Sequence, residues 1–382
     1  SEMGAPTKLS RNAQAAVGLG LLKAMRKTLE HYSFTEQVGE AQIRREPIGV
    51  AGMITPWNWP MNQVVSKVAA ALVAGCTMVL KPSEYSPYSA ALFAKMVDEA
   101  ALPPGVFNLV QGDLVAGAAL SKHPDVDLIS ITGSTRAGIE VAIAAAPTVK
   151  RVTQELGGKS PYLVLPGADL PRAVKGCVKR VMINSGQSCN APTRLLVPES
   201  QYQEAAARAV EVAEQERVGD PFDDTTTMGP LVNAKQYQRV TGYIQTGIEE
   251  GAELLTGGAE KPEGLAAGYY VKPTVFGHVN NDMRIAREEI FGPVLSILTY
   301  TNLEQAIDIA NDTNYGLTAY VYAESKEQGA EVAAQLRAGM VHVNEAQAGL
   351  NMPFGGYKMS GNGRERGEQG VEEYLEIKSL FV

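Results

Sequence analysis

Apolar and polar positions alternate along the chain with two periods, one typical of strands and one typical of helices. Residues Pro60 to Ala74 carry apolar side chains at helical spacing, with a proline in the first turn and Gly75 directly after, and we predict a helix there. Thr77 to Leu80 and Asp127 to Thr132 are short apolar runs that predict buried strands. Strands and helices that alternate with short connections from residue 48 onwards indicate a parallel, doubly wound α/β sheet.

The same pattern predicts further elements as far as residue 311. Predicted helices cover 86–101, 169–184, 199–217, 234–250 and 303–311, and a further helix opens at "GSTRAG" and runs to about 145. Predicted strands cover 106–110, 161–165 and 193–198. The final segment, "EYLEIKSLFV", alternates too weakly to cover itself. We therefore predict that it is an edge strand that needs a partner, such as another subunit.

Composition narrows the class of protein. The 382 residues allow two or three domains, and a formal net charge of −8 argues against nucleic acid as a partner. The longest apolar run, 68–80, is shorter than the ~20 residues that a membrane helix requires, so no membrane partner is expected. Three cysteines without a C-x-x-C pair favour a reducing, cytoplasmic location. The four histidines lack metal-ligand spacing, so no metal site is predicted.

Cys189 is the candidate nucleophile. It lies in "NSGQSCNAPTR", among small polar residues that follow a predicted helix, whereas Cys76 and Cys177 have the surroundings of structural thiols. Local context alone supports a nucleophile and a core cysteine about equally. A thiol nucleophile needs a partner that handles protons, and no histidine in the chain has a flanking pattern that suggests this role.

Glu155 and Asn58 are the candidate partners of Cys189. Glu155 in "QELGGKSP" ends an apolar strand, where burial would raise its pKa and make it a usable general base. The alternative is a salt-bridged or capping carboxylate. Asn58 in "TPWNWP" lies between the only two tryptophans, and its amide would donate to an oxyanion together with the backbone N–H of Cys189. Asn58 would also suit the N-cap of a helix.

Two further motifs suggest a dinucleotide site. "GSTRAG", Gly133 to Gly138, follows a strand and opens a helix, which places backbone N–H groups beside an anion. It is neither a G-x-G-x-x-G nor a P-loop, so alone it is a weak signal. "LKPSE" also follows a strand, and its Lys81 and Glu84 would contact a ribose. The charge of Glu84 would repel a 2′-phosphate, which favours NAD over NADP.

Together these stretches resemble the aldehyde dehydrogenase superfamily, in its NAD(P)-dependent, hydrolytic branch. The matching motifs, in the family's order, are "TPWNWP", "AGCTMVLKPSE", "LPPGVFNLV", "ITGSTRAG", "QELGGKSP", "NSGQSC", "EEIFGPV" and "PFGGYKMSGNGRE". They cover nearly the whole chain from residue 48 onwards, so we identify the chain as a member of this superfamily.

The resemblance implies a role for each residue of the site. Cys189 matches the catalytic thiol, Glu155 the general base and Asn58 the oxyanion amide, and Lys67 matches a lysine near the active-site entrance. The residues implied to contact NAD are Trp57, Lys81, Ser83, Glu84, Gly112, Gly133, Ser134, Gly138, Leu156, Glu289 and Phe291. The residues implied to line the aldehyde pocket are Trp59, Gln63, Ser188, Asn190 and Phe354.

The resemblance also implies a reaction and a domain organisation. An aldehyde would be oxidised to the carboxylic acid with NAD, through a thiohemiacetal on Cys189, hydride transfer and hydrolysis of the thioester. A Rossmann-like cofactor domain would cover 1–28 and 48–157, and an α/β catalytic domain would cover 158–358. A small β oligomerisation segment, 29–47 and 368–382, would join a homodimer or homotetramer.

The chain departs from the family's pattern at two places. The family's segment before "EMGAP" is absent, and the first residues lack both an initiator methionine and a signal peptide, so we expect the chain to begin inside a longer gene product. Asn62, Gln63 and Ser66 stand where some relatives carry bulky apolar residues. They predict a wider, more polar tunnel that accepts a functionalised aldehyde.

Other classes of protein remain open. A non-redox thiol acyltransferase or amidase would use Cys189 and Glu155 but would leave "LKPSE", "GSTRAG" and "EEIFGPV" without a purpose. A fold retained for assembly without turnover would not need Cys189, Glu155 and Asn58 together. A third alternative is an acyl-phosphate or acyl-CoA reductase of the same fold. Glu155 argues against the release of acyl-CoA, because the relatives that release acyl-CoA lack this glutamate.

Overall fold

The structure is a computed structural model that describes residues 2–381. Its strands are β1 (Thr35–Val38), β2 (Ala41–Pro47), β3 (Val50–Ile54), β4 (Thr77–Lys81), β5 (Phe107–Leu109), β6 (Leu128–Thr132), β7 (Arg151–Glu155), β8 (Pro161–Val164), β9 (Arg194–Pro198), β10 (Glu253–Thr256), β11 (Thr274–Gly277), β12 (Val294–Tyr300), β13 (Thr318–Tyr322), β14 (Met340–Val343), β15 (Gly361–Asn362) and β16 (Leu375–Phe381).

Helices cover the faces of the sheets. They are α1 (Thr7–Leu9), α2 (Ala16–His31), α3 (Pro60–Ala74), α4 (Pro87–Glu99), α5 (Leu114–Lys122), α6 (Thr135–Ala145), α7 (Leu170–Met182), α8 (Tyr202–Glu214), α9 (Ala234–Glu249), α10 (Arg284–Arg287), α11 (Leu303–Asn311), α12 (Lys326–Ala333) and α13 (Gly367–Glu372). A π-helical segment, Ser10–Ala15, joins α1 to α2, and 3₁₀ turns cover Ala146–Thr148, Ile183–Gly186, Glu199–Gln201 and Lys358–Ser360.

The first sheet has the strand order β15-β7-β6-β3-β4-β5. Its strands are parallel except for β15, which pairs antiparallel with β7 so that Gly361 lies opposite Glu155. The chain leaves β3 towards β4 on one side, whereas β6 lies on the other side. Ligands bind at such a switch point, beyond the carboxyl ends of the strands. The loops that follow β3, β6 and β7 therefore lie where a ligand is expected.

The second sheet has the order β10-β11-β12-β9-β8-β13-β14. Only the β10–β11 pair is antiparallel. Helix α7 packs its apolar face, including Val174 and Val178, against this sheet, with Leu195 of β9 in the same core cluster. The connection from α7 to β9 carries Cys189, and the connection from β7 to β8 carries the residues after Glu155. The two sheets therefore meet at the loops that hold both candidate residues.

A third sheet joins the two ends of the chain in the order β1-β2-β16. β16 pairs antiparallel with β2 along its whole length, from Leu375 to Phe381. Its other edge has no strand beside it among the described residues. The predicted edge strand is thus confirmed, and its exposed side chains include Ile377 and Phe381.

Several predicted elements are confirmed at their ends, and others are shorter than predicted. α3 and α11 begin and end at the predicted residues. The helix predicted for 169–184 ends at Met182 because Asn184 and Ser185 take up a left-handed backbone with φ of 56°. Within the range 199–217, where one helix was predicted, only α8 is α-helical, because a 3₁₀ turn occupies the first residues of the range.

Candidate active site

A left-handed turn presents Cys189. Asn184 and Ser185 both have φ of 56°, a conformation that Asn tolerates better than most residues. The hydroxyl of Ser185 donates to the carbonyl oxygen of Gly229 at 2.8 Å, and the side-chain oxygen of Gln187 accepts from the N–H of Val232 at 3.1 Å. These bonds fix the turn to the neighbouring loop, so the position of Cys189 is set by buried polar contacts rather than by a regular element.

Asn58 belongs to the same network. Its side-chain Nδ2 donates to the backbone carbonyl oxygen of Gln187 at 3.1 Å. Its backbone carbonyl oxygen accepts from Asn184 Nδ2 at 3.0 Å. Gln14 Nε2 donates to Asn184 Oδ1 at 2.9 Å and closes the network. Trp59 rather than Asn58 precedes the first turn of α3, and Asn58 makes no capping bond, so the N-cap interpretation is wrong. Asn58 instead has its amide tied to the turn that carries Cys189.

Glu155 ends β7 with a buried carboxylate. Neither carboxylate oxygen has a hydrogen-bond partner among the described residues, and the residue is only 4 % exposed. Burial raises the pKa of Glu155 well above its ordinary value, and the nearby carboxylate of Glu365 raises it further. The alternative of a capping or salt-bridged carboxylate is therefore wrong. An unpaired buried carboxylate is costly to keep, which is common at sites that transfer protons.

The loop after Glu155 packs directly against the turn of Cys189. A β-carbon placed on Gly158 would lie 2.5 Å from the carbonyl oxygen of Cys189, so only glycine fits there. Ser360 holds the same loop, since its hydroxyl donates to the carbonyl oxygen of Gly157 at 2.7 Å. Burial raises the pKa of the Cys189 thiol, and the carboxylates of Glu155 and Glu289 raise it further. The thiol consequently needs a base before it can attack.

A buried ion pair lies beside Glu155. Lys67 Nζ contacts Glu365 Oε1 at 2.6 Å and donates to Ser130 Oγ at 3.1 Å. The resemblance implied a lysine near the active-site entrance, but Lys67 is 1 % exposed and lies in the interior. The charge of Lys67 lowers the pKa of Glu155, in opposition to Glu365. The pair therefore sets the electrostatic field in which Glu155 titrates.

Three residues predicted to contact NAD, namely Trp57, Glu289 and Phe291, lie near this centre. Glu289 Oε1 accepts from the N–H of Gly158 at 3.0 Å, and a β-carbon on Gly157 would lie 2.5 Å from Glu289 Oε2. The ring of Trp57 meets that of Phe291 edge to face at 5.6 Å. Phe291 has φ of 62°. Glu289 therefore links the "EEIFGPV" loop to the loop that touches Cys189.

Four other residues predicted to contact NAD, namely Lys81, Ser83, Glu84 and Gly112, form a second group. Lys81 Nζ donates to the carbonyl oxygen of Gly112 at 3.0 Å and lies 3.9 Å from Glu84 Oε2. The hydroxyl of Ser83 contacts the same carboxylate at 3.4 Å. Burial lowers the pKa of Lys81. Beside Lys81 is an apolar groove of about 430 Å³, which α5 borders with Ala116 and other residues.

The "GSTRAG" segment lies beside the end of β7. Ser134 is the N-cap of α6, and its hydroxyl accepts from the N–H of Ala137. Gly133 donates its N–H to the carbonyl oxygen of Glu155 at 3.0 Å. A β-carbon on Gly138 would lie 2.7 Å from the side chain of Leu156, so this glycine lets α6 approach the end of β7. The strand–turn–helix arrangement predicted for this motif is confirmed.

The residues predicted to line the aldehyde pocket lie on three segments. Trp59 Nε1 donates to Ser188 Oγ at 2.8 Å, which ties α3 to the residue before Cys189. Gln63 is buried on α3. The carbonyl oxygen of Asn190 accepts from the Tyr320 hydroxyl at 3.0 Å. Phe354 forms an isolated backbone bridge with Glu365.

Sequence reasoning missed several residues that shape the site. Asn184, Gln187, Ser360, Glu365 and Arg366 had no predicted role. "INSGQS" carries a weak signal, because Asn before Ser-Gly often adopts a left-handed backbone. The motif "SGNGRE" was recognised, but nothing in its pattern indicates that its glutamate reaches Lys67, which is 298 residues away. Such contacts follow from the tertiary fold alone.

The part of the chain that the structure describes has neither a cluster of metal ligands nor a membrane-spanning helix. It contains no cluster of three or more His, Cys, Asp or Glu side chains placed to hold a metal ion. None of its helices combines the length and apolarity that a membrane span needs.

Comparisons with known proteins agree with this geometry. The model of the aldehyde dehydrogenase family matches residues 1–380. The chain is 54 % identical over 382 residues to a 3-succinoylsemialdehyde-pyridine dehydrogenase of a Pseudomonas species and covers 80 % of that relative. It is 49 % identical over 380 residues to a putative aldehyde dehydrogenase of Staphylococcus aureus, again covering 80 % of the relative.

Solved structures give the same result. Aldehyde dehydrogenase C of Pseudomonas syringae, a mutant in complex with NAD+ and octanal, superposes with a TM-score of 0.98 at 52 % identity, over all of this chain and 79 % of that one. An aldehyde dehydrogenase of Mycobacterium tuberculosis complexed with NAD+ gives a TM-score of 0.98 at 41 % identity, over all of this chain and 80 % of that one. The chain belongs to the aldehyde dehydrogenase family, whose members oxidise aldehydes with a nicotinamide cofactor, here NAD.

Proposed function

We propose that Cys189, Glu155 and Asn58 carry out the oxidation. The observation that carries this proposal is the Glu155 carboxylate, buried without a partner among the described residues, at the end of a strand whose following loop touches the backbone of Cys189 at Gly158. A fold kept only for assembly would have no reason to retain so costly a group. Because its pKa is raised, Glu155 is suited to accept a proton near neutral pH.

Cys189 would act as the nucleophile. Glu155 first accepts the thiol proton, directly or through a water molecule, and the sulfur then forms a bond to the aldehyde carbon. The carbonyl electron pair moves onto the aldehyde oxygen, which becomes an oxyanion. Oxidation leaves a thioester on Cys189. Glu155 releases the thiol proton to solvent and then takes a proton from a water molecule that attacks this thioester, so that the carbon–sulfur bond breaks, the thiolate of Cys189 is restored and the carboxylic acid leaves.

Asn58 would stabilise the oxyanion. Its Nδ2 has a second hydrogen beyond the one donated to Gln187, and its position is fixed by three buried polar residues, Gln14, Asn184 and Gln187. The backbone N–H of Cys189 donates to no other residue in 2–381, so it is available as a second donor. Donors held in advance at a buried site contribute on the order of 10²–10³ in rate.

The residues present fit NAD. The groove beside Lys81 is apolar, as an adenine ring requires. Lys81 at its border and Glu84, 3.9 Å from Lys81, suit ribose hydroxyls. Ser134 and the first turn of α6 suit a pyrophosphate, and Glu289 with Phe291 would hold the second ribose. When bound, NAD accepts the hydride that the aldehyde carbon loses. Glu84, half-exposed and negative, would repel a 2′-phosphate, so we expect NAD to be preferred over NADP.

Each of the three sheets would belong to a domain with its own function. The first sheet would lie in the cofactor-binding domain (1–28 and 48–157), and the second sheet would lie in the catalytic domain that carries the thiol (158–358). The third, within 29–47 and 368–382, would pair with a second copy through the open edge of β16 to give a homodimer or homotetramer. A cytoplasmic location agrees with three free cysteines, of which two are buried.

The test is NADH formation at 340 nm with a panel of aldehydes and either NAD or NADP. We expect Cys189→Ala to abolish turnover, and Glu155→Gln to slow it while allowing a thioester to accumulate that is trapped by hydroxylamine. A matched control, Cys177→Ala, alters a buried thiol of the core and should retain turnover. Turnover that survives Cys189→Ala would refute the mechanism, and acyl transfer without NADH would favour a thiol acyltransferase.

A further inference from the structure

Arg366 is a partly buried cation at the site, and it forms no ion pair with the acidic side chains of residues 2–381. Its guanidinium lies 4.7 Å over the ring of Phe354, and one Nη donates to Asn62 Oδ1 at 2.9 Å. Its Nε is buried and has no acceptor among the described residues. No carboxylate lies within 4.0 Å of it in residues 2–381, although arginines in such surroundings are normally paired.

The position of Arg366 connects it with the reacting groups. Burial lowers the pKa of Arg366, and Glu365, Cys189 and Glu155 act in the opposite direction. Asn62 lies on α3, one turn after the Asn58 loop. The adjacent carboxylate of Glu365 is already paired with Lys67 at 2.6 Å. Arg366 is therefore not required to neutralise Glu365, and its buried Nε remains without an acceptor among the described residues.

A basic groove is lined by the residues that directly follow this arginine in sequence. It has a volume of about 880 Å³ and lies between α2 and the segments next to Phe354 and Arg366 in sequence, namely Pro353 and Gly367. Lys23, Lys27 and His31 line it from α2, and Glu368 is its one acidic lining residue. A groove of this composition attracts anions.

We infer that Arg366 selects aldehydes that carry a carboxylate at the end of the molecule remote from the carbonyl group, that is, acid semialdehydes. The guanidinium presents parallel N–H donors that match a carboxylate, and Asn62 holds it in place on the face of Phe354. This inference rests on the proposed role of Cys189, because the aldehyde carbon must lie at the thiol while the carboxylate lies at Arg366. The inference also places one positive charge, that of Arg366, in the polar tunnel that was predicted from Asn62, Gln63 and Ser66.

The experiment compares two aldehydes of equal length, adipic semialdehyde and hexanal, by kcat/KM with saturating NAD. A shorter pair, succinic semialdehyde and butanal, measures how the preference depends on length. The enzymes are the unaltered chain, Arg366→Met, Arg366→Lys and Lys95→Met. Lys95 is exposed on α4, so its replacement removes one positive charge outside the site.

We expect the unaltered enzyme to prefer adipic semialdehyde over hexanal. Arg366→Met should lower the ratio of the two kcat/KM values by about 10- to 100-fold, which is the usual effect of losing a charge-assisted hydrogen bond. Arg366→Lys should keep part of the ratio and Lys95→Met all of it. Thermal unfolding of each variant shows whether it is folded.

Two results would overturn the inference. One is a ratio of the two kcat/KM values near unity in the unaltered enzyme. The other is an Arg366→Met enzyme that loses activity towards both aldehydes by the same factor, because Arg366 would then act only through Glu155. Hexanal turnover that depends on Cys189 would in both cases leave the proposed mechanism intact. Failure of the mechanism itself would appear as hexanal turnover in Cys189→Ala.

Discussion

Gly158→Ala tests whether the contact between the two candidate loops sets the position of the thiol. The added β-carbon would lie 2.5 Å from the carbonyl oxygen of Cys189 and 3.4 Å from the side chain of Leu317. Carbon–oxygen contacts ordinarily begin at about 3.3 Å, so one of the two backbones has to move by about 0.8 Å. The side chains nearby cannot absorb this change, because the obstructing atom belongs to the backbone.

Such a displacement is large for a catalytic group. A misplacement of about 1 Å costs on the order of 10²-fold in rate, so we expect kcat to fall by roughly 30- to 100-fold. Overpacking of this kind costs about 1–3 kcal/mol in stability, so the protein should remain folded. The assay is NADH formation under saturating substrates, together with the rate at which iodoacetamide alkylates Cys189.

Gly242→Ala is the matched control. Gly242 lies on the exposed face of α9, where an added β-carbon meets no atom within 4 Å. It should leave kcat unchanged and stabilise the helix by about 0.5–1 kcal/mol. If Gly158→Ala retains kcat within twofold of the unaltered enzyme, the packing of the Gly158 loop does not position the thiol, and the reasoning is refuted.

Two further predictions concern charge. Lys67→Met leaves the carboxylate of Glu365 buried without its partner, so the free energy of unfolding should fall by about 3–5 kcal/mol, as measured by urea titration. The Lys67→Met, Glu365→Met double variant should lose less stability than the single variant. An equal or larger loss of stability in the double variant would contradict the prediction. Burial and Glu365 raise the pKa of Glu155, and only the deprotonated form accepts a proton. Activity should therefore fall as the pH drops through that raised pKa, giving an acid limb in kcat/KM above the ordinary range of a carboxyl group. A limb at the ordinary value would count against Glu155 as the base.

Local pattern predicted the elements well where one strong signal stands at each end. α3 has a proline at its start and a left-handed glycine after it, and its ends are those predicted. The carboxyl end of α7 was misplaced because Asn184 and Ser185 look compatible with a helix, and only their buried contacts favour the left-handed turn. Periodicity reports which face is apolar but not which polar contacts compete with the helix.

The candidate site was predictable to the extent that its residues lie in short motifs. Cys189, Glu155 and Asn58 each stand out within a few residues of sequence. Glu365 and Arg366 also lie in a recognised motif, yet their significance depends on Lys67 and Asn62, which the chain brings close only after two sheets have formed. Charge pairing over such separations leaves no trace in local periodicity, and no pattern distinguishes a paired arginine from an unpaired one.

The return of β15 to the first sheet has a consequence for biosynthesis. Gly157 and Ser360, whose contact closes this edge beside Glu155, are 203 residues apart in sequence. Ribosomes add about 5–20 residues per second, so β7 remains an open strand edge for roughly 10–40 s while the second sheet is made. During that interval the nascent chain exposes unpaired backbone groups where the catalytic carboxylate will lie, which makes it a substrate for chaperones. Synthesis of the second sheet thus sets the earliest moment at which the site can be assembled.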